Sequence, residues 1–195
     1  MNSRGNILNA VLQNQPVLSP LPDMTPFQGD HTELVTRYCD MATYIGSRIF
    51  CVGTITEIAT LIQSEFDPDK RIITTLPQLS YWFEKLQETA DPRTLNDVEL
   101  AIIKAELAVA ENGAVWLTEQ LMGQRIVPYI CQHLAVVVAA SSIVPTLHEA
   151  YSQIGAGDYG FGAFIGGPSK TADIEQALVM GAHGPITMTI FVVAE

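Results

Sequence analysis

The chain has 195 residues, enough for one domain with a hydrophobic core, and 48% of them are hydrophobic. Its formal net charge is −11. A chain this acidic is a poor partner for nucleic acid, which attracts basic surfaces, and any site for an anionic ligand must be locally positive.

The first 30 residues are predicted to lie outside the main domain. Residues 4–13 have the spacing of a short amphipathic helix whose apolar face carries Ile7, Leu8, Val11 and Leu12. Four prolines then interrupt regular structure and leave an extended arm: Pro16, Pro20, Pro22 and Pro26. We therefore predict a single domain over residues 31–195.

Helices and strands alternate in the next part of the chain. The apolar spacing predicts a helix over 32–45, a strand over 48–52, a helix over 54–66 capped by Thr54, and a strand over 71–75. This alternation is typical of a parallel sheet covered by helices, so we predict the α/β class.

The second half of the chain contains further strands and one ambiguous segment. Residues 113–117, 133–140 and 187–193 read as strands, and the continuous apolar run from 133 indicates a strand buried on both faces. Residues 142–154 read as a helix. By periodicity and alanine content, residues 98–111 also read as a helix.

A match to G-x-G-x-x-G at residues 155–160 follows a predicted helix and precedes a strand. A dinucleotide-binding motif has the opposite order, strand before helix. We therefore interpret this segment as a connection.

The most distinctive segment is the sequence GGPSKTADIE at residues 166–175, followed by GAHGP at residues 181–185. An apolar strand over 161–165 leads into it, and the amphipathic stretch 174–180 is predicted to form a helix. Backbone N–H groups and a helix N-terminus would then point at one place, which favours an anion.

The side chains of this segment divide into caps and one surplus cation. Ser169 or Thr171 can cap the predicted helix, and Asp173 and Glu175 suit its first turn. Capping does not require Lys170, whose ammonium group is a candidate partner for an anion. Because Lys170 follows a strand, we expect it at the carboxyl edge of the sheet, where open α/β sheets bind ligands.

Three further polar residues lie next to apolar or small residues. His183 is flanked by Ala182 and Gly184, which would let its ring face a cleft. Glu111 and His133 border apolar segments, but His133 precedes its strand and the edge rule supports it less. A histidine held by hydrogen bonds in a structural role, and a solvated Lys170 on a capped helix, are the alternatives.

The cysteines Cys39, Cys51 and Cys131 are scattered, without the CxxC spacing of zinc or iron–sulfur sites. We expect them to be small buried residues in a reducing cytoplasm, with no metal site and no evident cofactor. No apolar run reaches the ~18 residues of a membrane helix. The first 14 residues lack the pattern of a signal peptide, so a cytoplasmic protein without a membrane span is predicted.

Several motifs together resemble one known family. The sequence AENG at 110–113, Pro128, the apolar run from His133, and residues 167–175 and 183–185 are similar to the LUD domain of the lactate utilisation protein C (LutC/YkgG) family. The usual pattern there is A-E-T/S-G, then G-P-S-R/K-T-A-D-I-E, then G-x-H-G-P. This chain has Asn112 in place of Thr or Ser, and Lys170 in place of the commoner Arg. The resemblance covers residues 31–195, and residues 4–12 resemble the family's N-terminal helix.

The resemblance implies a three-layer α/β/α sandwich with a mostly parallel sheet, of the NagB, RpiA and CoA-transferase group that includes 5-formyltetrahydrofolate cyclo-ligase. It also implies that residues 98–117 form strands joined by turns, with 110–113 at the edge of the site. We adopt the strands over the helix, because tertiary context overrides propensity. For function, it implies oxidation of L-lactate to pyruvate alongside iron–sulfur lactate utilisation proteins.

Three functions remain open. In the first, the chain is a subunit or accessory protein of L-lactate utilisation that binds a small anionic metabolite, with Glu111 or His183 transferring a proton. In the second, it is a stand-alone enzyme or binding protein for a nucleotide, CoA or folate-like ligand. In the third, its role is purely structural or regulatory. The candidate ligand-binding residues are Gly166, Gly167, Ser169, Lys170, Thr171, Asp173, Glu175, His133, Asn112, Gly113 and Gly184.

Overall fold

The computed structural model describes residues 2–20, 22–23, 25–27, 29–87, 91–155, 157, 159–172 and 178–194. The helices in these residues are α1 (Ser3–Gln13), α2 (Leu34–Tyr44), α3 (Ile55–Glu65), α4 (Glu119–Met122), α5 (Val127–Ile130) and α6 (Leu147–Ile154). The strands are β1 (Arg48–Val52), β2 (Ile72–Thr74), β3 (Glu84–Lys85), β4 (Leu100–Lys104), β5 (Leu107–Val109), β6 (Val115–Thr118), β7 (His133–Ala139), β8 (Ile143–Val144), β9 (Gly162–Ile165), β10 (Lys170–Ala172), β11 (Leu178–Met180) and β12 (Thr187–Val193).

A parallel sheet forms the centre of the fold. Its six strands follow the order β1-β12-β7-β4-β2-β3, and every neighbouring pair is parallel. A second sheet has the order β8-β5-β6-β9, and β10 pairs with β11 as an antiparallel ribbon. The predicted α/β class with a mostly parallel central sheet is confirmed.

The sheet is covered on both faces, as the apolar run of β7 indicates. Successive residues of a strand point to opposite faces. Accordingly, Val136 belongs to the same hydrophobic cluster as Tyr38 of α2, whereas Val137 belongs to the cluster of Ile58 in α3. The fold therefore has three layers: α3, the parallel sheet, and α2 together with the second sheet. Helix α6 packs on that second sheet.

Most predicted elements are present. The strands predicted over 48–52 and 187–193 coincide with β1 and β12, and the Thr54 hydroxyl caps α3 by accepting from the N–H of Glu57 (3.3 Å). The strands adopted for residues 98–117 are confirmed as β4, β5 and β6. The helix predicted over 142–154 begins only at Leu147, because Ile143 and Val144 pair with β5.

The predicted N-terminal helix is confirmed as α1, but none of its residues is buried. The segment that follows α1 contacts α6 through residues 29 and 31. The N–H of Gly29 donates to the Glu149 carboxylate (3.1 Å), and Nε2 of His31 lies 3.2 Å from the same carboxylate. The division into an arm over residues 1–30 and a domain over 31–195 stays a prediction.

The three cysteines occupy different environments. Cys131 is buried as predicted, and burial raises the pKa of its thiol to about 12. Cys51 is exposed, contrary to the prediction, because β1 is an edge strand and its side chains are incompletely covered. Its Sγ lies 4.0 Å from Sγ of the half-buried Cys39.

Across the described ranges, no group of three or more His, Cys, Asp or Glu side chains could hold a metal ion. In the same ranges, no helix combines the length and apolar character needed to cross a bilayer.

Arg71 connects β2 with β3 and with the segment before β4 through hydrogen bonds. Its guanidinium donates to both carboxylate oxygens of Glu84 (2.9 and 2.8 Å), to Asp97 (2.6 Å) and to the carbonyl of Thr94 (2.6 Å). These bonds join the start of β2 to β3 and to the segment before β4. The hydrogen bonds from Arg71 also hold the pKa values of Glu84 and Asp97 below their usual range.

The substitution Arg71→Met is expected to lower the free energy of unfolding by about 1 kcal/mol at pH 7, because partly exposed ion pairs are screened by solvent. A carboxyl group whose pKa is lowered by folding stabilises the protein above its unfolded pKa and loses that contribution as the pH falls through its folded pKa. The gap between wild type and variant should therefore shrink below about pH 4. Urea denaturation from pH 7 to pH 3 measures it. As a control, Arg93→Met removes an ion pair with Asp91, the partner of the exposed Arg93 among the described residues, and should change little.

Candidate functional site

The last turn of α2 is the point on which the distinctive segments converge. The N–H groups of Ile45, Gly46 and Ser47 bond back to carbonyls of the helix. The carbonyl of Ile45 lies beyond the helix ladder, where terminal carbonyls need an outside partner. That partner is Lys170, whose Nζ donates to it. From the sequence, no role in the site is assigned to this turn, although Gly46 directly follows the predicted helix and a glycine there is a usual signal of helix termination.

Gly167 lies against the same carbonyl. Its φ is +76°, a conformation that side-chain-bearing residues rarely adopt, and a Cβ at this position would be 2.8 Å from the Ile45 oxygen. Gly166, with an ordinary φ, faces the Ile45 side chain. The glycines of the 166–170 turn thus let the chain approach the end of α2 closely.

The 181–185 loop packs on the 166–170 turn. The N–H of Ser169 donates to the carbonyl of Pro185 (2.9 Å), and the N–H of Gly181 donates to the carbonyl of Ser169 (3.1 Å). Gly184 lies over the Ser169 side chain, where a Cβ would approach its Cβ to 3.3 Å. Two motifs that are separate in sequence therefore form one surface, and His183 is exposed within it.

The ribbon corrects the predicted strand–turn–helix order. Residues 170–172 and 178–180 are antiparallel strands, so the helix predicted over 174–180 is wrong for the part that the structure describes. Cross-strand pairing of Lys170 with Met180 takes the backbone bonds that a helix would use. Anion binding by a helix N-terminus at this place is not supported. Asp173 and Glu175 lie outside the described residues, and Thr171 pairs with Val179 in the ribbon.

The expected position of Lys170 at the carboxyl edge of the main sheet is also wrong. The preceding strand, β9, belongs to the second sheet, so the edge rule for the parallel sheet does not apply to it. The 166–170 turn instead lies beside residues 45 and 46, which lead into β1, and the 181–185 loop leads into β12. Both therefore lie at the amino edge of the parallel sheet.

The AENG segment divides between two roles. The side-chain oxygen of Asn112 accepts from the N–H of Ala114 (3.0 Å) and shapes the β5–β6 turn. Gly113, with a φ of +71°, lies against the backbone of Ala42 in α2, where a Cβ would be 2.9 Å from its Cα. A Cβ at Gly113 would also lie 3.0 Å from Cδ1 of Ile45, so this turn belongs to the same cluster.

Glu111 is directed elsewhere. Its carboxylate accepts from the N–H of Leu147 (2.8 Å), the first residue of α6, and its own N–H donates to the carbonyl of Pro145 (3.0 Å). The structure therefore gives Glu111 the contacts of a helix cap, and no described contact joins it to Lys170 or His183.

We expect Glu111→Ala to lower the free energy of unfolding by about 1 kcal/mol, the usual cost of removing a helix cap. Glu111→Gln keeps an acceptor oxygen and should lose less. Urea denaturation of both variants measures this, and a Glu111→Ala variant as stable as wild type would contradict the cap.

His133 also lies at the amino edge, in a different cluster. Its Nδ1 is 2.7 Å from Oγ1 of Thr187, its Nε2 is 3.7 Å from Glu99, and its ring meets Phe66 edge-on. These residues line a cleft of about 470 Å³. The backbone links this cluster to the 181–185 loop, because the N–H of Ile186 donates to the carbonyl of Gln132 (2.8 Å). The described contacts of His133 fit a hydrogen-bonded structural role.

Known proteins resemble this chain in sequence and in fold. The family described as LUD domain matches residues 42–193. Lactate utilization protein C 1 of Bacillus mycoides (strain KBAB4) is 35% identical over 101 residues, which are 49% of this chain and 43% of that protein. Lactate utilization protein C of Exiguobacterium sp. (strain ATCC BAA-1283 / AT1b) is 27% identical over 134 residues, 64% of this chain and 58% of that protein. The chain thus spans about half the length of the curated relatives it matches.

A crystal structure of a DUF162 family protein from Deinococcus radiodurans superposes with a TM-score of 0.62, covering 84% of this chain and 98% of that one. The two sequences are 17% identical. At that level the likeness shows the fold alone, and it agrees with the α/β architecture described above.

Proposed function

The chain belongs to the LUD domain family, and from that premise we propose that it takes part in L-lactate utilisation as a subunit or accessory protein. The names of its relatives support this role. The proposed reaction is the oxidation of L-lactate to pyruvate, and the proposed contribution of this chain is to bind a small carboxylate.

We place electron transfer in partner proteins. Oxidation of lactate to pyruvate releases two electrons and two protons, and the electrons need an acceptor. The chain has three cysteines, fewer than the four thiolates that usually hold an iron–sulfur cluster. Iron–sulfur lactate utilisation proteins, which the family resemblance implies as partners, are the proposed acceptors.

The observation that carries the ligand proposal is the surplus of donors at Lys170. An ammonium group has three N–H donors, and one of them is engaged by the carbonyl of Ile45. Among the described residues no carboxylate lies within ion-pair distance of Nζ. Within the part of the chain that the structure describes, two donors of this exposed cation therefore remain for the carboxylate of lactate or pyruvate, in a chain that is otherwise strongly acidic.

Ser169 and His183 are the proposed further contacts. The Ser169 hydroxyl has no described hydrogen-bond partner, and the loop that carries His183 is bonded to the Ser169 backbone. A neutral imidazole near the C2 hydroxyl of bound L-lactate would accept the hydroxyl proton. The C2–H bond breaks as the C2–O double bond forms, its two electrons pass to the partner proteins, and its hydrogen leaves as a proton to solvent. The cap contacts of Glu111 make His183 the better candidate for that proton.

Titration of the purified chain with L-lactate and pyruvate tests this site. The melting temperature of the wild type should rise, since a ligand at a hundred times its Kd stabilises the native state by about 2.7 kcal/mol. Lys170→Ala should abolish the shift, and Lys170→Arg should retain most of it because the charge remains. Lys85→Ala, at an exposed residue of β3, is the matched control and should behave as wild type.

The opposite results have clear meanings. Equal affinity of wild type and Lys170→Ala for both acids would refute the assignment of Lys170. A shift with nucleotides, CoA or folates in place of lactate and pyruvate would favour a stand-alone enzyme or binding protein.

A further inference from the structure

A second crevice lies at the opposite, carboxyl edge of the parallel sheet. It has a volume of about 460 Å³ and opens where β4 ends at Lys104 and β7 ends at Ala139, beside the end of β6 at Thr118. Ligands of open α/β sheets bind outside the carboxyl ends of the strands. The volume lies within the usual range for small-molecule sites, about 300–1,000 Å³.

Two opposite charges line this crevice without neutralising each other. Lys104 and Glu106 both border it and both are exposed. The backbone between them is held extended, because the N–H of Ala105 donates to Val137 (2.8 Å) and that of Glu106 donates to Trp116 (3.0 Å). Within the described residues, neither side chain has a hydrogen bond or ion pair. The pair is therefore available to a molecule that offers an acceptor to Lys104 and a donor to Glu106.

The rest of the lining is mixed. Thr118, 8% exposed, and Ser142 add hydroxyl groups, while Leu121 and Tyr159 add apolar surface. The Tyr159 ring packs edge-on against Trp116 (centroids 5.5 Å apart), whose buried indole N–H has no partner among the described residues. An apolar slot of about 120 Å³ adjoins the crevice at Lys104 and Ala139. A ligand with a polar head and an apolar side chain suits such walls.

We propose that the Lys104 crevice binds an α-amino or α-hydroxy carboxylate whose apolar side chain is much larger than the methyl group of lactate. The carboxylate accepts from the ammonium group of Lys104, and the α-ammonium or α-hydroxyl group donates to the carboxylate of Glu106. The side chain of the ligand packs against Leu121 and Tyr159. This site is distinct from the Lys170 site and goes beyond the proposed function.

Calorimetric titration of the full chain with L-phenylalanine, L-phenyllactate and 3-phenylpropionate tests the proposal. These probes share a phenyl group and a carboxylate and differ only in the α substituent. L-Phenylalanine or L-phenyllactate should bind at one site, and 3-phenylpropionate, which lacks the donor, should bind at least tenfold more weakly. Whichever of the first two binds more tightly identifies the ammonium or the hydroxyl as the natural donor.

Matched variants separate this site from the other one. Lys104→Met and Glu106→Gln should each weaken binding of the phenyl probe at least tenfold and should leave the binding of lactate at Lys170 unchanged. Lys85→Met is the matched control and should change neither. Both altered residues of the crevice are exposed, so thermal melting should confirm intact folding. Absence of binding by both α-substituted probes, equal binding of 3-phenylpropionate, or unchanged affinity in Lys104→Met would each overturn the proposal. None of these results bears on the binding of lactate at Lys170.

Discussion

Replacing Gly167 with alanine is expected to lower the free energy of unfolding by about 2–3 kcal/mol and to abolish lactate and pyruvate binding. Two effects combine. The positive φ of Gly167 is costly for any residue with a Cβ, and the added atom would lie 2.8 Å from the carbonyl oxygen that Lys170 contacts. Because that oxygen belongs to backbone at the end of a packed helix, the 166–170 turn must move instead. Urea denaturation and ligand titration measure the two losses.

The neighbouring glycine provides the matched control. Gly166 has an ordinary φ, and a Cβ there would meet Cδ1 of Ile45 at 3.5 Å, which is a normal contact. Gly166→Ala should therefore stay within about 1 kcal/mol of wild type and keep its ligand affinity. Equal losses of stability and ligand affinity in the two variants would contradict the cost assigned to the positive φ and the close contact at Gly167.

The second large effect is expected in the core. Ile190 is fully buried in β12, between β1 and β7, and Ile190→Ala should lower the free energy of unfolding by about 2–5 kcal/mol through lost burial and a residual cavity. Ile7→Ala makes the same chemical change on α1, where the side chain is 64% exposed, and should cost less than about 0.5 kcal/mol. If the two variants unfolded at the same urea concentration, the result would contradict the burial of Ile190 and of β12 in the core.

The central sheet could be predicted because its signals are local. The run that became β7 is apolar at consecutive positions, which is diagnostic of a strand covered on both faces, and Thr54 is a cap that reads directly from the sequence. The strands β4 and β5 were a different case. Their periodicity and alanine content indicated a helix, and only the resemblance to a family indicated strands.

Two errors arose because partners distant in the sequence decide the local structure. Residues 178–180 have the apolar spacing of a helix but pair with residues 170–172 as a ribbon. Ile143 and Val144 could open a helix, yet they add a parallel strand to β5. In both places, β-bonding to another segment replaces the helical bonds that the spacing suggested, as tertiary context commonly does.

The candidate site was predicted in part. The glycines and Lys170 were identified from their sequence, and the structure brings Gly113, Gly166, Gly167, Ser169 and Gly184 together with Lys170 around one turn. The sequence could not reveal that this turn is the end of α2, because that contact joins segments more than a hundred residues apart. The predicted position of Lys170 at the carboxyl edge of the main sheet is wrong for the same reason. That prediction assigns β9 to the main sheet, whereas β9 belongs to the second sheet.

Growth on L-lactate tests whether this chain and its Lys170 take part in lactate utilisation. The gene would be deleted from its host and restored as wild type, as Lys170→Ala and as Lys170→Arg, with growth on pyruvate as the control carbon source. The deletion strain is expected to fail on L-lactate but to grow on pyruvate. Wild type and Lys170→Arg should restore growth on L-lactate, whereas Lys170→Ala should not. Unchanged growth of the deletion strain on L-lactate would contradict a role in lactate utilisation.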